Sequence, residues 1–379
     1  MQEFIPYGKQ NIDQDDIEAV VEVLKSSLIT QGPKVDEFEA QMAEYSGAKY
    51  AVAFNSGTAA LHAAMYAAGV KEGDEVISSP ITFVATTNAS AYLGARPVFV
   101  DMDETNYCID IERIEAAITD RTRVIIPVDY AGYPVDMGRI AEIAHQHNLV
   151  LIEDAAHALG ARRGGLPVGR EADMTMFSFH PVKHITTGEG GMIVCNEEHY
   201  YRRLKLFRNH GIEREPNYWE ENPGPWYYEM QDLGYNLRIT DFQCALGLSQ
   251  LKKLPAFLQE RQRIAGIYDH AFRGLDQVKT PPQAGNDSSH AYHLYPILLD
   301  PLRNRREIFD YMRSCNIGVQ VHYIPVHLQP YYRRQFGYKV GDFPVAEDYY
   351  QREISLPIYP GLSEEQQEYI IETVLLAVD

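Results

Sequence analysis

The sequence predicts an α/β protein in which a large domain with a mostly parallel sheet is followed by a smaller α+β domain. Between residues 50 and about 195, short apolar and β-branched runs alternate with helical stretches, which is typical of a parallel sheet. Several runs are apolar almost throughout, as expected for strands that are covered on both faces. Long helical patterns begin after residue 240, and we expect a boundary near residue 250 that separates a large domain over 1–250 from a small C-terminal domain over 251–379.

The first half of the chain supplies the large sheet. The first predicted helix begins near Asp13, where acidic residues precede an apolar stripe formed by Ile17, Val20, Val21 and Leu24. Helical stretches over 58–68 and 111–117 lie between the earlier strands. The runs predicted as strands are 50–54, 75–78, 97–100, 124–128, 150–153, 174–177 and 191–195.

The second half has a different texture. Residues 241–254 and 256–272 are predicted as long helices, with Pro255 able to kink or break them. The small domain is predicted to contain a strand over 294–299, a helix over 303–315, a strand over 319–322 and a last helix from Ser363. The aromatic segment 211–232 is predicted to be an ordered loop or lid, or a partner-binding loop.

Charge and composition exclude several classes of function. The chain of 379 residues has 34 Lys and Arg against 53 Asp and Glu, a formal charge of −19. Such a surface repels phosphate backbones and anionic lipids, so we expect no nucleic-acid and no membrane partner. The 4 cysteines form no Cys-x-x-Cys pair and are typical of reduced thiols. Without a signal-peptide pattern or an apolar run of roughly 20 residues, the chain is expected to be cytoplasmic.

An acidic pair, Glu153 and Asp154, stands at the end of the predicted strand at 150–153. The ligand crevice of a parallel α/β sheet opens at the carboxyl ends of its strands, which is where Asp154 stands. A buried carboxylate needs a cation or hydrogen-bond donors to offset its lost hydration. A protonated pyridine nitrogen is one candidate partner of Asp154, while a helix N-cap or a buried salt bridge is the structural alternative.

Lys183 follows an apolar strand and precedes a turn rich in glycine. When a lysine is shielded from water near other positive charge, its pKa falls and the neutral amine becomes a nucleophile. Ser178 and Thr186 supply hydrogen-bond donors nearby, and the glycines let the backbone approach a ligand. The glycine run at 188–191 lacks the Gly-x-Gly-x-x-Gly spacing of dinucleotide sites. A lysine that stands alone is otherwise an ordinary surface charge.

A third candidate site is the turn Asn55-Ser56-Gly57-Thr58, between a predicted strand and an alanine-rich helix. Ser56 can cap this helix and Gly57 permits a close approach, so the free amides at the helix start suit a phosphate, although ordinary strand-to-helix turns use the same residues. A phosphate-binding helix start, an acid for a pyridine nitrogen and a lysine amine are together what a protein supplies to pyridoxal 5'-phosphate (PLP). Phe83 could cover the ring or belong to the core.

Five blocks of the sequence resemble the DegT-type sugar-nucleotide aminotransferases, a branch of the aspartate-aminotransferase-like PLP enzymes. The blocks are collinear over nearly the whole chain and comprise residues 55–58, 80–86, 153–160, 178–191 and 234–241. More narrowly, residues 5–7, 27–32 and 320–327 resemble the UDP-sugar C4 aminotransferases of pseudaminic acid biosynthesis. The resemblance implies the PLP-dependent transferase fold of type I, with a large PLP-binding domain.

For the cofactor, the resemblance implies that Lys183 carries PLP as a Schiff base and moves the proton between cofactor and sugar. Asp154 would pair with the pyridine nitrogen, and pyridoxamine 5'-phosphate would form in turnover. The other cofactor-binding residues that the resemblance implies are Gly57, Thr58, Phe83, His157, Ser178 and, from the neighbouring subunit, Asn236. The implied state is therefore a homodimer with a shared active site.

For the substrates, the resemblance implies L-glutamate as amino donor and the C4 ketone of a UDP-linked 4-keto-6-deoxy-N-acetylhexosamine as acceptor. The implied acceptor is UDP-2-acetamido-2,6-dideoxy-β-L-arabino-hex-4-ulose, and the product is UDP-4-amino-4,6-dideoxy-β-L-AltNAc. Arg238 is a candidate for recognising the glutamate carboxylate. The residues implied on the substrate side are Tyr7, Ser27, Leu28, Ile29, Thr30, Gly57, Ser178, Asn236, Gln320, Val321, His322 and Tyr323.

The same motifs are compatible with other enzymes. A C4 aminotransferase for a different nucleotide 4-keto sugar, either a D-series UDP-sugar or a dTDP- or GDP-sugar, would use the same cofactor site. So would a PLP-dependent sugar dehydratase, although the related dehydratases replace the lysine with histidine. We expect no metal, because the histidine pairs have no acidic or cysteine partners at ligand spacing; these pairs are His145 with His147, His180 with His184, His290 with His293, and His322 with His327.

Overall fold

The computed structural model describes residues 3–379. Ser, Thr, Asp or Asn caps several of its helices through the side chain, as at Asp13, Ser56, Asn304 and Ser363. The helices are α1 (Gln14–Leu24), α2 (Pro33–Ser46), α3 (Gly57–Ala67), α4 (Ala85–Ala91), α5 (Ile114–Ala117), α6 (Met137–Gln146), α7 (Glu198–Arg208), α8 (Asp241–Ala271), α9 (Arg305–Ser314), α10 (Pro330–Phe336), α11 (Pro344–Arg352) and α12 (Glu364–Val378). Within residues 3–379, no helix combines the length and apolar character that a membrane span requires.

The strands form one large sheet and several small ones. They are β1 (Tyr50–Phe54), β2 (Glu75–Ser78), β3 (Arg96–Phe99), β4 (Thr122–Ile126), β5 (Val150–Asp154), β6 (Arg162–Arg163), β7 (Leu166–Pro167), β8 (Met174–Ser178), β9 (Gly191–Cys195), β10 (Ile212–Glu213), β11 (Glu229–Met230), β12 (Val278–Lys279), β13 (Tyr295–Leu299) and β14 (Glu353–Leu356). The seven strands predicted for the large sheet are confirmed to within two residues at each end.

The large sheet has the strand order β1-β9-β8-β5-β4-β2-β3. In this order, adjacent strands from β8 to β3 are parallel to each other. Strand β9 is antiparallel to both of its neighbours, β1 and β8. Alternate residues of β1 enter different cores: Val52 and Phe54 pack with α3, and Ala51 and Ala53 pack with the cluster that includes α2 and α8. Burial on both faces explains why these strands are apolar throughout. The α/β class with a mostly parallel sheet is confirmed.

This topology positions a site at one edge of the sheet. Strands β1, β2, β5 and β8 point the same way, so their carboxyl ends meet at a common edge. Asp154 and Ser178 are the last residues of their strands, while Ser56 follows β1 by a short turn. Parallel sheets bind ligands at this edge. The antiparallel sheet β12-β13-β14 lies in the C-terminal part of the chain, as predicted for a smaller α+β unit.

Two local predictions are wrong. The stretch predicted as a strand at 319–322 forms only a bridge between Gln320 and Ser355, because the His322 N–H donates to a carboxylate of Glu353 instead of a ladder carbonyl. The two helices predicted around Pro255 are one helix, α8, of 31 residues. An interior proline costs roughly 3 kcal/mol, which the buried Leu251 and Leu254 in the turn before it help to offset through packing. The boundary near residue 250 falls inside α8 and stays a prediction.

The apolar stripe of α1 does not face the core. Ile17 and Leu24 are 49% and 55% exposed, whereas Asp16 and Val23 are buried. Asp16 faces α8, where Gln250 donates to its Oδ2 over 2.7 Å and Lys253 forms an ion pair with it over 3.0 Å. A polar contact therefore fixes α1 on the fold and leaves much of its apolar stripe exposed in the described part of a single chain.

Candidate active site

A cavity of about 450 Å³ opens at the carboxyl edge of the large sheet. It collects many of the residues that the sequence singled out, from segments far apart in the chain. The predicted site residues that line it are Tyr7, Gly57, Thr58, Phe83, Asp154, His157, Ser178, Lys183, His322 and Tyr323.

The start of α3 forms one wall of the cavity. Ser56 caps the helix by accepting the Ala59 N–H over 3.1 Å, while the N–H groups of Gly57 and Thr58 lie in the first turn, where no helical carbonyl is available to them. A Cβ on residue 57 would come within 3.3 Å of the Ser178 Oγ, so glycine lets the helix start approach this hydroxyl closely. Backbone donors at a helix start beside a hydroxyl suit an anion.

Asp154 is buried at the end of β5, and the donors to it within residues 3–379 are uncharged. Thr86 donates to its Oδ2 over 2.7 Å, and the Ala156 N–H donates to its Oδ1 over 3.1 Å. Among residues 3–379, no basic side-chain nitrogen lies within 4.0 Å of a carboxylate oxygen of Asp154. Burial raises the pKa of this carboxyl, while the hydrogen bonds and the nearby Lys183 lower it. A cationic group in the cavity would compensate the buried charge.

Lys183 lies half-buried in the same cavity, and its Nζ is 3.2 Å from Nε2 of His293. Desolvation lowers the pKa of Lys183 to about 8, against the opposing attraction of Asp154; Arg261 lowers it further. A substantial fraction of the amine is therefore neutral near pH 8, as a nucleophile or proton acceptor must be. The structure thus brings an amine of lowered pKa and a buried carboxylate into one cavity.

His157 is engaged on both sides of its ring. The Ala131 N–H donates to its Nδ1 over 3.3 Å, so the neutral ring carries its proton on Nε2, which lies 3.1 Å from the Tyr323 hydroxyl. Burial lowers the pKa of His157 well below its usual range, which keeps the ring neutral. The two side chains thus position each other at the cavity wall.

Phe83 is 56% exposed although it lines the cavity, and its ring centroid is 6.1 Å from that of Tyr323. The alternative that Phe83 belongs to the core is wrong. A large aromatic ring that is exposed at a cavity offers its face to a planar ligand.

Several predicted residues do not line this cavity in a single chain. Thr30 instead bridges to Thr240, and Asn236 bridges to Asn209. Arg238 donates to Asn209 over 2.6 Å and is likewise absent from the cavity lining. The roles of these residues stay predictions; the site residues placed elsewhere are Ser27, Leu28, Ile29, Thr30, Asn236, Gln320 and Val321.

Sequence reasoning missed two residues that contact the central pair. Thr86 lies in the matching block 80–86 without a local signal for a role, yet its hydroxyl donates to Asp154. In the sequence His293 stands out only through its spacing from His290, yet in the structure it contacts Lys183. In the described part of the chain, residues 3–379, no three His, Cys, Asp or Glu side chains come together as a possible metal site.

The segment 211–232 forms a long loop whose ends are joined by two short antiparallel strands. Strands β10 and β11 pair at its ends, and Trp219 donates through Nε1 to the Glu213 carbonyl over 3.1 Å. The Arg202 guanidinium lies over the Tyr218 ring at 3.3 Å from its centroid. An ordered loop was one of the predicted alternatives for this segment.

Comparison with known proteins identifies the family. The sequence model of the DegT/DnrJ/EryC1/StrS aminotransferase family matches residues 10–375. The uncharacterized protein MJ1066 of Methanocaldococcus jannaschii is 45% identical over 98% of this chain and 97% of its own length. The spore coat polysaccharide biosynthesis protein SpsC of Bacillus subtilis is 42% identical over 98% and 96%. The UDP-4-amino-4,6-dideoxy-N-acetyl-beta-L-altrosamine transaminase of Campylobacter jejuni is 39% identical over 98% and 96%, so it is less similar than the first two.

The solved structures that this chain resembles are also aminotransferases. Helicobacter pylori PseC, an aminotransferase involved in the biosynthesis of pseudoaminic acid, superposes with a TM-score of 0.91 at 34% identity over 99% of both chains. The putative sugar aminotransferase Spr1654 from Streptococcus pneumoniae has been solved in a PMP-form, with a TM-score of 0.93 at 32% identity over 99% of both chains, and also in a PLP-form. The fold is therefore the aminotransferase fold of type I. The chain belongs to the DegT/DnrJ/EryC1/StrS aminotransferase family and is a sugar aminotransferase.

Proposed function

We propose that this protein uses PLP to transfer the amino group of L-glutamate to the C4 ketone of UDP-2-acetamido-2,6-dideoxy-β-L-arabino-hex-4-ulose. The product would be UDP-4-amino-4,6-dideoxy-β-L-AltNAc, for pseudaminic acid biosynthesis. The observation that carries the reaction class is the meeting of Lys183, Asp154 and the start of α3 in one cavity. Similarity to the C. jejuni transaminase and to H. pylori PseC supports this acceptor sugar.

The cavity residues fit PLP in three respects. The start of α3 at Gly57 and Thr58, with the Ser178 hydroxyl, suits the phosphate. The buried carboxylate of Asp154, which accepts from the uncharged donors Thr86 and Ala156, suits a protonated pyridine nitrogen. The amine of Lys183 suits a covalent bond to the aldehyde. When bound, PLP supplies an electron sink and carries the amino group from donor to acceptor.

Lys183 is the group that moves protons in this proposal. Because desolvation lowers its pKa to about 8, the Nζ atom can both accept and return a proton near neutral pH. When PLP is bound, Asp154 would hold the proton on the pyridine nitrogen through its charge, while Thr86 and Ala156 hold Asp154 in place. Phe83 would cover the ring of the cofactor, beside the wall that His157 and Tyr323 form.

The sugar side of the cavity would involve Tyr7, His322 and Tyr323, together with residues that one chain leaves outside it. Leu28 and Ile29 are 51% and 48% exposed, and they follow the largely exposed apolar stripe of α1. These exposed apolar groups support a homodimer in which a second copy covers them. Asn236 and the segment 27–30 would then contribute to the site across the subunit boundary.

The substrate is tested by giving the purified protein, PLP and L-glutamate one 4-keto sugar at a time. We expect amination of the β-L-arabino UDP compound, detected by mass spectrometry of the 4-amino sugar and by release of 2-oxoglutarate. Turnover of only the D-series UDP compound, or of only dTDP- or GDP-4-keto sugars, would overturn the assigned acceptor and leave the aminotransferase class intact. Failure of glutamate to convert the cofactor to its pyridoxamine form would contradict the transaminase reaction itself.

The shared site is tested by mixing two inactive variants. Lys183→Ala and Asn236→Ala subunits are refolded or exchanged together, because only a mixed dimer would contain one site with both wild-type groups. Activity that returns on mixing supports the shared dimer site, and sedimentation analysis gives the oligomeric state. A monomeric protein with full activity would refute it.

A further inference from the structure

Three buried groups form a chain of hydrogen bonds that ends at the cavity. Glu353 and Ser355 are two residues apart on β14, so their side chains leave the same face of the strand. The Ser355 hydroxyl lies 2.5 Å from Oε1 of Glu353 and 2.8 Å from Nδ1 of His322. Glu353 also accepts the His322 N–H at Oε2 over 2.7 Å. His322 in turn lines the cavity.

The hydrogens in this chain must be arranged consistently. A serine hydroxyl has one hydrogen to donate, and a neutral imidazole carries one proton on either Nδ1 or Nε2. When Glu353 is ionised, Ser355 donates to it and accepts from Nδ1–H, so Nε2 of His322 is a bare acceptor. When Glu353 is protonated, it donates to Ser355, which donates to Nδ1, so the proton of His322 sits on Nε2.

We propose that Glu353 and Ser355 are positioning residues that set the tautomer of His322, and thereby whether Nε2 accepts or donates a hydrogen bond in the cavity. The proton balance closes without any further reactant. We call the hydrogen-bonded chain of Glu353, Ser355 and His322 the relay. When the relay takes up a proton, the proton on Nδ1 of His322 passes to Ser355 and the Ser355 proton passes to Glu353. Nε2 of His322 then takes one proton from solvent in the cavity. The imidazole stays neutral, and one proton is taken up in total.

The surroundings place this change in an accessible pH range. Burial raises the pKa of Glu353 to about 8, opposed by the hydrogen bonds from Ser355 and His322 and by the charge of Arg305. Tyr130 and Tyr349 also interact with Glu353, and burial keeps the pKa of both phenols well above their usual range.

Burial lowers the pKa of His322 to about 3, assisted by the charge of Lys183. Around the ring lie Tyr7 and Tyr323, whose pKa values are raised, so neither takes part below pH 9.

This inference rests on the proposed function where it concerns the ligand. A 4-keto N-acetylhexosamine offers hydroxyl and amide N–H donors and a carbonyl acceptor. With Glu353 ionised, His322 Nε2 accepts from a hydroxyl or amide donor of the sugar, and with Glu353 protonated it repels that donor. The relay would therefore control binding of the sugar and leave the reaction with glutamate unchanged.

The relay is tested first by ¹⁵N NMR of histidine-labelled, PLP-loaded protein, with the His322 signals assigned from a His322→Gln spectrum. We expect the Nδ1–H tautomer above about pH 8 and the Nε2–H tautomer below it. Glu353→Gln mimics the protonated acid, since its amide donates to Ser355 while its carbonyl accepts the His322 N–H, and it should show Nε2–H at every pH. Ser355→Ala should abolish the pH dependence, and Ser355→Thr should retain it because the hydroxyl is kept.

Kinetics supply the second readout. Glu353→Gln should raise KM for the 4-keto sugar about tenfold at pH 9, the size of one lost hydrogen bond, with kcat and the glutamate half-reaction nearly unchanged. The matched control is Glu347→Gln, which removes the carboxylate that lies 2.9 Å from Nε2 of the buried His327, outside the cavity. A wild-type His322 tautomer that does not change with pH, or equal KM effects in both glutamine variants, would overturn the relay. If no 4-keto sugar turns over while the NMR transition persists, the proposed function fails and the relay stands.

Discussion

The Nζ of Lys183 and the Nε2 of His293 lie 3.2 Å apart, although the two residues are separated by 110 positions in the chain. Burial lowers the pKa of His293 well below its usual range, so the ring is a neutral partner. Its Nδ1 has no hydrogen-bond partner among residues 3–379. A neutral imidazole can hold the lysine in place without adding a charge that favours the ammonium form, as a carboxylate would. Lys183 is therefore oriented by an uncharged group.

Replacing His293 tests this orientation. His293→Leu removes the contact with Lys183, and covalent capture of PLP should slow about tenfold, the size of one lost hydrogen bond. His293→Gln keeps a polar group near the same place and should restore most of the rate. Capture is followed by absorbance and by mass spectrometry after borohydride reduction. Equal rates in the leucine variant and the wild type would show that the contact has no such role.

Removing the amine itself should abolish the reaction. Lys183→Ala leaves the phosphate and pyridine sites intact, so PLP and substrate should still bind, while turnover falls on the order of 10³-fold or more. Lys252→Ala, an exposed lysine on α8, is the control and should keep full activity. Near-normal turnover in the Lys183 variant would refute the role assigned to this residue.

The pH dependence of PLP capture should report the Lys183 amine. Since desolvation lowers the pKa of Lys183 to about 8, the neutral fraction and the capture rate should rise with pH and level off above it. Asp154→Asn removes the charge that raises this pKa, so the midpoint should move to lower pH. Asp173→Asn removes an acid that accepts the Leu151 N–H on the same sheet, and should leave the midpoint unchanged. A midpoint that Asp154→Asn does not move would contradict the coupling.

Asp154→Asn should also slow the reaction with glutamate. Without the carboxylate of Asp154, the proton on the pyridine nitrogen loses its partner, and kcat should fall about 10²- to 10³-fold, as for other preorganised electrostatic groups. Thr86→Val removes the hydroxyl that donates to Asp154 over 2.7 Å and should cause a smaller loss in the same direction. Single-turnover rates with glutamate measure both effects. A larger loss of the single-turnover rate in Thr86→Val than in Asp154→Asn would refute this order.

The large sheet and the central pair could be predicted from the sequence for physical reasons. Strands covered on both faces must be apolar throughout, so β1, β5 and β8 stand out from their surroundings. Asp154 ends β5 and Lys183 comes soon after β8, and an acid and an amine are the groups that a pyridine nitrogen and an aldehyde require. The stretch at 319–322 could not be predicted, because it has strand-like composition while the His322 N–H is satisfied by a side chain 31 residues away.

Contacts between distant segments were the part that sequence reasoning missed. His293 reaches Lys183 because the chain returns to the cavity just before β13, and no local pattern encodes that return. The α1 stripe illustrates the opposite failure, since helical spacing predicts an apolar face and leaves open what covers it. Its exposure in one chain agrees with the proposed dimer.

Phe83 and Tyr92 provide a matched pair for testing aromatic cover of the cofactor. Both rings are 56% exposed, yet only Phe83 lines the cavity, so their solvent contact is equal and their positions differ. Stacking on a planar ligand is worth roughly 0.5–1.5 kcal/mol beyond area burial, so Phe83→Ala should weaken PLP retention up to about tenfold. Tyr92→Ala should leave retention unchanged, and Phe83→Trp should preserve it because a ring face remains. Equilibrium dialysis of the PLP-loaded proteins gives the three dissociation constants. Equal losses in the two alanine variants would mean that Phe83 acts through general stability, and a loss confined to Phe83→Ala locates the ring of the cofactor beside this side chain.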